Sequence, residues 1–481
     1  MKKELKKYLP WVVLLVVILS LSLWYVLSKR VTEEQRNYYE EKIQEAKTYI
    51  DAKQYSTGIE KYYEAVDIIP SKVEAYEGII SVLITKNRIE ESKEIIEESA
   101  KSLNGYDKSI LYKIVGDGYY NMGKYREAFD MYDVGLILGV KNMGLELMTG
   151  KVMLKLGYKD DAKKQFSKAG YEGDDAFEAN LLLSYIYSID DVEKAKNLLN
   201  LLEPSDKQKP YYQEFSELLN TLDEDSKFNA TKLSRIYINN GYPYLAILTL
   251  EPIKEEISEY LEGMYFLGRA YFDFGDYDKS IEALDGALTL GGMETEILWA
   301  KARAYFVKND LDNTIKNYDS AIGNSGDNFD ANLVEEYVKI LLDNGQSLKA
   351  DALVKSLLLM KEGEAYLNIL AVEISHELKE SVKIEFYLGK LETLELTGDE
   401  EEEYLEWKIK YLYDNNESMD EYLVKLLNMD KYNPTYYLFL GKSQVIDNET
   451  DLAIQSLEKA IEYDLNYEIT EEASKLLSSL R

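Results

Sequence analysis

The fold is decided by two stretches of sequence that align at an offset of 34 residues. Residues 263–289 read GMYFLGRAYFDFGDYDKSIEALDGALT, and residues 297–323 read ILWAKARAYFVKNDLDNTIKNYDSAIG. A fixed period of this length is typical of helical hairpins that stack side by side, because each hairpin buries its apolar face only against its neighbours. The sequence therefore predicts an all-α protein, and the period predicts where each further hairpin lies.

Small and aromatic residues recur at the same places in both stretches. The first helix of each unit has a small residue and, three positions later, an aromatic one, whereas the second helix has a small, large, small series. These spacings place the contact residues on one helical face. Gly275 and Asn309 fall in the turn between the two helices, where a left-handed backbone favours Gly or Asn. The same columns contain Ser234, Tyr237, Gly241, Gly268, Tyr271, Ala302 and Tyr305.

The pattern continues through most of residues 35–476 and resembles the tetratricopeptide repeat family, whose units carry this small, aromatic, Ala, aromatic, Ala series. The resemblance implies a right-handed α-solenoid of about ten to twelve helical hairpins. It implies binding of protein partners without naming one, because such repeats serve many functions on one scaffold. Two of the clearest further units contain Gly116, Tyr119, Gly123, Ala128, Tyr132 and Gly135, and then Gly150, Met153, Gly157, Ala162, Phe166 and Ala169.

Breaks in the period predict how the chain is divided. The small residues Ser184 and Ser234 are separated by 50 positions, which leaves room for one additional helix near residues 210–221. The columns also blur between about residues 362 and 430. The predicted segments are 1–30, a tail and membrane anchor; 31–204, a first repeat block; 205–228, a linker with an extra helix; 229–361, a second repeat block; 362–430, degenerate helical repeats; and 431–481, a terminal repeat and capping helix.

An uncharged run near the amino terminus predicts a single-pass membrane anchor. Residues 11–27 carry no charge, and with their neighbours they give a span over residues 9–28 that is long enough to cross a bilayer as a helix. A cleaved signal peptide is the alternative, but the run is long and no Ala-x-Ala follows it. Lysines before the span predict a cytoplasmic amino terminus. We therefore expect a signal anchor in a bacterial, Gram-positive cell membrane, with the repeats extracytoplasmic.

Composition excludes several kinds of chemistry. The formal net charge is -32, so the surface is a poor general binder of nucleic acid. The chain has no Cys and a single His, His376, which excludes thiolate sites and His-based metal clusters within one chain. We expect no enzyme activity, catalytic residue, metal, cofactor or small-molecule substrate. An enzyme with its chemistry in the degenerate segment 362–430 is the competing hypothesis.

One column of the repeat is not needed for packing. Arg235, Arg269 and Arg303 each follow the small residue of a first helix, at intervals of 34 residues. In the family this position usually lines the concave groove, so the resemblance implies a groove for an acidic or carboxylate-bearing partner segment. The structural alternative is pairing with acidic neighbours such as Glu262 or Asp273. The predicted groove residues are Arg235, Arg269, Arg303, Tyr265, Trp299, Phe272, Phe306 and Lys151.

Anchor, charge and repeats together predict a membrane-tethered scaffold. It would bind proteins or peptides through its concave groove outside the cytoplasm, in the assembly of an envelope or surface machine. The membrane contact would be made by the amino-terminal helix alone. Two alternatives stay open: an adaptor whose repeats face the cytosol, and a non-catalytic subunit of a membrane-associated enzyme complex.

Overall fold

A computed structural model describes residues 31–138, 142–170, 175–202, 209–222, 225–464 and 468–481. Throughout these residues the regular secondary structure is helical, without strands. Contacts divide the chain into two compact units, one that ends at Val115 and one that runs from Gly116 to Arg481. The all-α prediction is therefore confirmed for the part of the chain that the structure describes.

The first unit consists of helices that pack in chain order. A capping box starts the first of them, because Thr32 Oγ1 accepts the Gln35 N–H at 3.1 Å and Gln35 Oε1 accepts the Thr32 N–H at 3.0 Å. The helices of residues 33–51, 55–68, 73–85 and 89–99 each contact the next in the chain. The helices are α1 (Glu33–Asp51), α2 (Tyr55–Ile68), α3 (Val73–Thr85), α4 (Ile89–Ser99) and the beginning of α5 (Gly105–Asn121).

The second unit begins within α5, at Gly116. Its helices are α6 (Tyr125–Ile137), α7 (Met143–Lys155), α8 (Lys159–Ala169), α9 (Ala176–Asp190), α10 (Val192–Asn200), α11 (Pro210–Asn220), α12 (Ser226–Asn239), α13 (Pro243–Leu250), the short α14 (Lys254–Ile257), α15 (Leu261–Phe274), α16 (Tyr277–Thr289), α17 (Glu294–Val307), α18 (Leu311–Ser325), α19 (Ala331–Asp343), α20 (Ser347–Met360), α21 (Ala365–Glu377), α22 (Ser381–Leu391), α23 (Gly398–Asp414), α24 (Asp420–Met429), α25 (Pro434–Ile446), α26 (Thr450–Tyr463) and α27 (Thr470–Leu480).

The small and large columns meet inside each hairpin, as the sequence predicts. A Cβ placed on Gly150 of α7 would lie 2.5 Å from the Phe166 ring of α8, so only glycine lets these two helices approach this closely. The turn at Gly275 has a φ of 95°, in the left-handed region that glycine adopts without strain. Packing between adjacent hairpins then gives an all-helical solenoid.

The additional helix α11 belongs to the core of the second unit. Phe215 is fully buried, and its ring lies edge-on to Tyr185 with centroids 4.5 Å apart. The Tyr237 hydroxyl of α12 lies 2.6 Å from Ser188 Oγ of α9, so the hairpins on either side of α11 also touch. One hydrophobic cluster extends from Leu147 to Ile297 and includes α11. The division into six segments remains a prediction from the sequence pattern.

The predicted span, residues 9–28, lies outside the described residues. Among the helices of the described part, none combines the length and apolar character that a bilayer crossing requires.

Candidate partner-binding surface

The three arginines of the predicted groove lie on successive first helices of the second unit. Arg235 is on α12, Arg269 on α15 and Arg303 on α17, and α15 contacts both of the other helices. Each arginine follows a buried small residue that packs against the second helix of its hairpin. Arg235 and Arg303 are exposed, whereas Arg269 is half-buried.

Arg303 and its neighbour Trp299 are both bound by one carboxylate of the next repeat. Arg303 Nε donates to Glu336 Oε1 at 2.8 Å, and Trp299 Nε1 donates to Glu336 Oε2 at 3.0 Å. The Tyr318 hydroxyl donates to Glu336 Oε1 at 2.7 Å. The Arg303 guanidinium also lies 5.2 Å from the Trp299 ring centroid. Glu336 is therefore the centre of a structural cluster, which sequence reasoning missed.

Other basic residues of the same column pair with a carboxylate on a neighbouring helix. Lys151 Nζ lies 2.7 Å from a Glu178 carboxylate oxygen, and it also approaches the Tyr120 ring. Lys47 pairs with Glu74 at 2.8 Å. Lys442 pairs with Glu472 at 2.7 Å. At these positions the structural interpretation holds, and the exposed Lys47–Glu74 pair contributes little stability by itself.

Arg235 has a looser partner than these residues. Its nearest carboxylate belongs to Glu214 of α11, at 3.4 Å, and both side chains are about half exposed. The sequence suggested Glu262 as a partner for the arginine column, but the contact is made instead to the helix that interrupts the repeat. An exposed pair at this distance leaves the guanidinium available to exchange partners.

Arg269 differs from the other members of the column. It makes no ion pair with a carboxylate among the residues that the structure describes, and its guanidinium carbon lies 6.0 Å from the Tyr265 ring centroid. The charges of Arg269 and Arg303 both act on the pKa of Asp273, one turn further along α15. Loss of water raises the pKa of Asp273 and the arginines oppose that rise. Among the described residues Arg269 thus lacks a bound carboxylate, unlike Arg235 and Arg303.

A third cation, from a distant repeat, also lowers the pKa of Asp273. Lys155, at the end of α7, donates its Nζ hydrogen bond to the Gly241 carbonyl oxygen. Its ammonium group lies 5.3 Å from the Tyr242 ring centroid, and burial lowers the pKa of the lysine while Asp273 raises it. Lys155, Arg269 and Arg303 therefore all act to lower the pKa of Asp273. We call these three cations the basic surface.

The predicted aromatic residues fall into two groups. Tyr265 and Trp299 lie beside Arg269 and Arg303, and burial raises the pKa of Tyr265. Phe272 instead packs edge-on against Tyr277, with ring centroids 5.7 Å apart, at the turn of its own hairpin. Phe306 is 42% exposed. The structure thus places only the first group at the basic surface.

Side chains that could hold a metal are not grouped in the described part of the chain, where no set of three or more His, Cys, Asp and Glu residues is arranged for it. The single histidine, His376, packs against Trp407 with ring centroids 5.2 Å apart. Its Nε2 lies 3.7 Å from a carboxylate oxygen of Asp414. The absence of catalytic chemistry stays an expectation from the sequence.

Comparison with protein families identifies the class of repeat. The family model of the tetratricopeptide repeat matches residues 261–290 and 434–467. The first match covers α15 and α16, which carry Arg269, and the second covers α25 and α26. The chain therefore contains tetratricopeptide repeats, as the resemblance implied. No curated protein matches the sequence.

Solved structures of other helical-repeat proteins match at low identity. The APC/C hetero-tetramer Cut9–Hcn1 is 11% identical over 96% of this chain and 98% of that chain, with a TM-score of 0.34. Yeast Tom70 is 16% identical over 93% of this chain and 96% of that chain, with a TM-score of 0.37. A monomeric IFIT1 mutant with m7Gppp-AAAA is 14% identical over 81% of this chain and 90% of that chain, with a TM-score of 0.33.

Proposed function

We propose that this protein is a scaffold that binds a partner protein through the first-helix face of its second unit, with Arg269 as the anchor for a partner carboxylate. The observation that carries the proposal is the contrast within one column of the repeat. Arg303 and Lys151 have carboxylate partners within 3 Å, whereas Arg269 has none in the described residues. A cation that the fold leaves unpaired in an acidic protein is available to a ligand.

The surroundings of Arg269 suit an extended acidic segment. A guanidinium can bind a carboxylate through two parallel hydrogen bonds, which fixes its orientation as well as its position. Tyr265 offers an apolar face next to that fork. Lys155 adds positive charge at the same place, and Lys155, Arg269 and Arg303 each oppose the rise that burial causes in the pKa of Asp273. A partner carboxylate therefore meets cations in a chain whose total charge is strongly negative.

We expect Arg269→Ala to weaken binding of an acidic probe about tenfold, the loss expected for one charge-assisted contact. The probe is a fluorescein-labelled decapeptide of alternating Glu and Leu, and its binding to the full-length chain is followed by fluorescence anisotropy. Arg269 is a sharper target than all three arginines together, because replacing Arg303 would also break the Glu336 cluster.

The matched control is Lys316→Ala. Lys316 is an exposed lysine on the second helix α18, so its replacement removes the same unit of charge away from the first-helix face. This control should bind the probe as the unchanged chain does. Equal binding by the Arg269→Ala variant would contradict the proposal.

The scaffold is proposed to be tethered to a membrane by residues 9–28, with the repeats on the extracytoplasmic side, in assembly of an envelope or surface machine. The uncharged run and the lysines that precede it support this arrangement. Protease added to intact cells should then degrade the repeats. Protection until the cells are lysed would instead favour an adaptor that faces the cytosol.

A further inference from the structure

Three glutamates on later first helices of the second unit form a surface of opposite charge. Glu335 lies on α19, Glu373 on α21 and Glu403 on α23, and each of these helices contacts the next. None of the three carboxylates has an ion-pair partner in the described part of the chain. The three carboxylates are close enough to repel one another, and the charges of Glu335 and Glu373 both raise the pKa of Glu403. We call these three residues the acidic surface.

Partial burial affects each of these carboxylates, although Glu335 and Glu403 are exposed and Glu373 is half-buried. Loss of water is the largest influence on each and raises the pKa of Glu335, Glu373 and Glu403. Repulsion from Glu406 and Asp399 raises the pKa of Glu403 further. Lys410 and Lys339 offset the effect only at Glu373. The acidic surface thus groups carboxylates that repel one another, with lysines nearby at Glu373.

An apolar cavity of about 220 Å³ opens beside the acidic surface, between α23, α24 and α25. Its apolar lining consists of Ile409, Leu423, Leu426 and Phe439, and its polar lining of Glu406, Lys410, Thr435 and Tyr436. The Tyr436 hydroxyl lies 2.7 Å from Glu402 Oε1 and 2.9 Å from Glu406 Oε1, and it can donate its one hydrogen to either carboxylate. The volume is below the range of ordinary small-molecule sites and suits a single large side chain.

Cavity and charge are connected by shared residues. Glu406 lines the cavity and also raises the pKa of Glu403. Lys410 lines the cavity and lowers the pKa of Glu373. A ligand that enters the cavity must therefore pass close to the acidic surface. Anionic ligands are repelled there, which excludes a nucleic acid strand or a membrane rich in anionic lipid.

We infer that the cavity and the acidic surface together form a docking site for a basic segment of a partner protein. One large apolar side chain of that segment enters the cavity, and Lys or Arg side chains beside it pair with Glu335, Glu373 and Glu403. The site lies on different repeats from the basic surface around Arg269, so it would hold a second segment of chemistry opposite to the first.

The energetics favour this occupant because Glu335 and Glu373 repel Glu403. Each ion pair formed with a basic segment relieves repulsion among the glutamates. A buried apolar anchor surrounded by charged contacts is the usual arrangement of a protein interface hot spot. The charges then select the partner, and the cavity supplies most of the apolar contact.

The test uses a fluorescein-labelled decapeptide with one Phe between two runs of Lys, bound to the full-length chain at physiological salt. We expect Glu373→Gln combined with Glu403→Gln to weaken binding about tenfold or more, since two ion pairs are lost. Thr435→Lys, which places a cation at the cavity opening, should weaken it as well. A probe with Ser in place of Phe should bind about tenfold more weakly, because its anchor is missing.

The control variants separate this site from general attraction to an acidic protein. Glu401→Gln removes a carboxylate from the same helix, but Glu401 lies beside Leu391 and Lys425, away from the cavity. It should change binding less than twofold or so. Equal effects of Glu401→Gln and of the double substitution, or equal binding of the Ser probe, would overturn the inference. Arg269→Ala should leave this probe unaffected, so failure here is distinct from failure of the proposed function.

Discussion

We expect Phe215→Ala to lower the free energy of unfolding by about 3–5 kcal/mol, the usual cost of deleting a buried aromatic ring. Phe215 is 0% exposed and packs edge-on against Tyr185, which in turn contacts Tyr237 of the following hairpin. Removing the ring opens a cavity at the point where the additional helix α11 joins the repeats on both sides. The measurement is equilibrium denaturation in urea, followed by far-ultraviolet circular dichroism.

Phe228→Ala is the matched control for this experiment. Phe228 is 37% exposed at the start of α12, so the same truncation removes far less buried contact and should cost less than about 1 kcal/mol. Similar losses for the two variants would mean that α11 is a peripheral connection and not part of the core.

Glu336→Gln should lower the free energy of unfolding by about 1–3 kcal/mol, because bonds to a charged acceptor are exchanged for weaker ones. Three donors converge on this carboxylate, from Trp299, Arg303 and Tyr318. An amide keeps the shape of the side chain, but it has only one acceptor oxygen and no charge for the guanidinium. Urea denaturation at pH 7 measures the loss.

The neighbouring residue, Glu335, supplies a control in which the free energy of unfolding should not fall. Loss of water and repulsion from Asp330 and Glu400 raise the pKa of Glu335, so its charged form is less favourable in the folded chain than in the unfolded one. Above the ordinary carboxyl pKa this glutamate therefore opposes folding, and Glu335→Gln should leave stability unchanged or slightly higher. A loss at Glu335 as large as that at Glu336 would contradict the assignment of the cluster to Glu336.

The repeat period predicted the packing contacts and turns that depend only on backbone position. Gly150 meets Phe166 and Gly275 forms a left-handed turn, because a period fixes where each Cα lies in its hairpin. It also located the arginine column on successive first helices. A helix is present at Pro210–Asn220, where the long interval left room for one.

The period could not predict which partner each long side chain contacts. Arg303 and Arg269 occupy equivalent positions, yet only Arg303 reaches a carboxylate, because Glu336 lies on the following first helix with Trp299 and Tyr318 beside it. Lys155 was missed for the same reason, since its bond to Gly241 joins repeats far apart in the sequence. Such contacts depend on how hairpins stack, which a single column does not record.

The bond from Lys155 to Gly241 has a consequence for how the second unit comes apart. A simple solenoid behaves as a one-dimensional chain, in which each repeat couples only to its two neighbours. Here the end of α7 also touches the α12–α13 turn, and Gly157 approaches Phe274 of α15. These bridges couple hairpins that are not adjacent in sequence, so the stretch from α7 to α15 should melt as a single cooperative block, whereas the later repeats can fray one at a time.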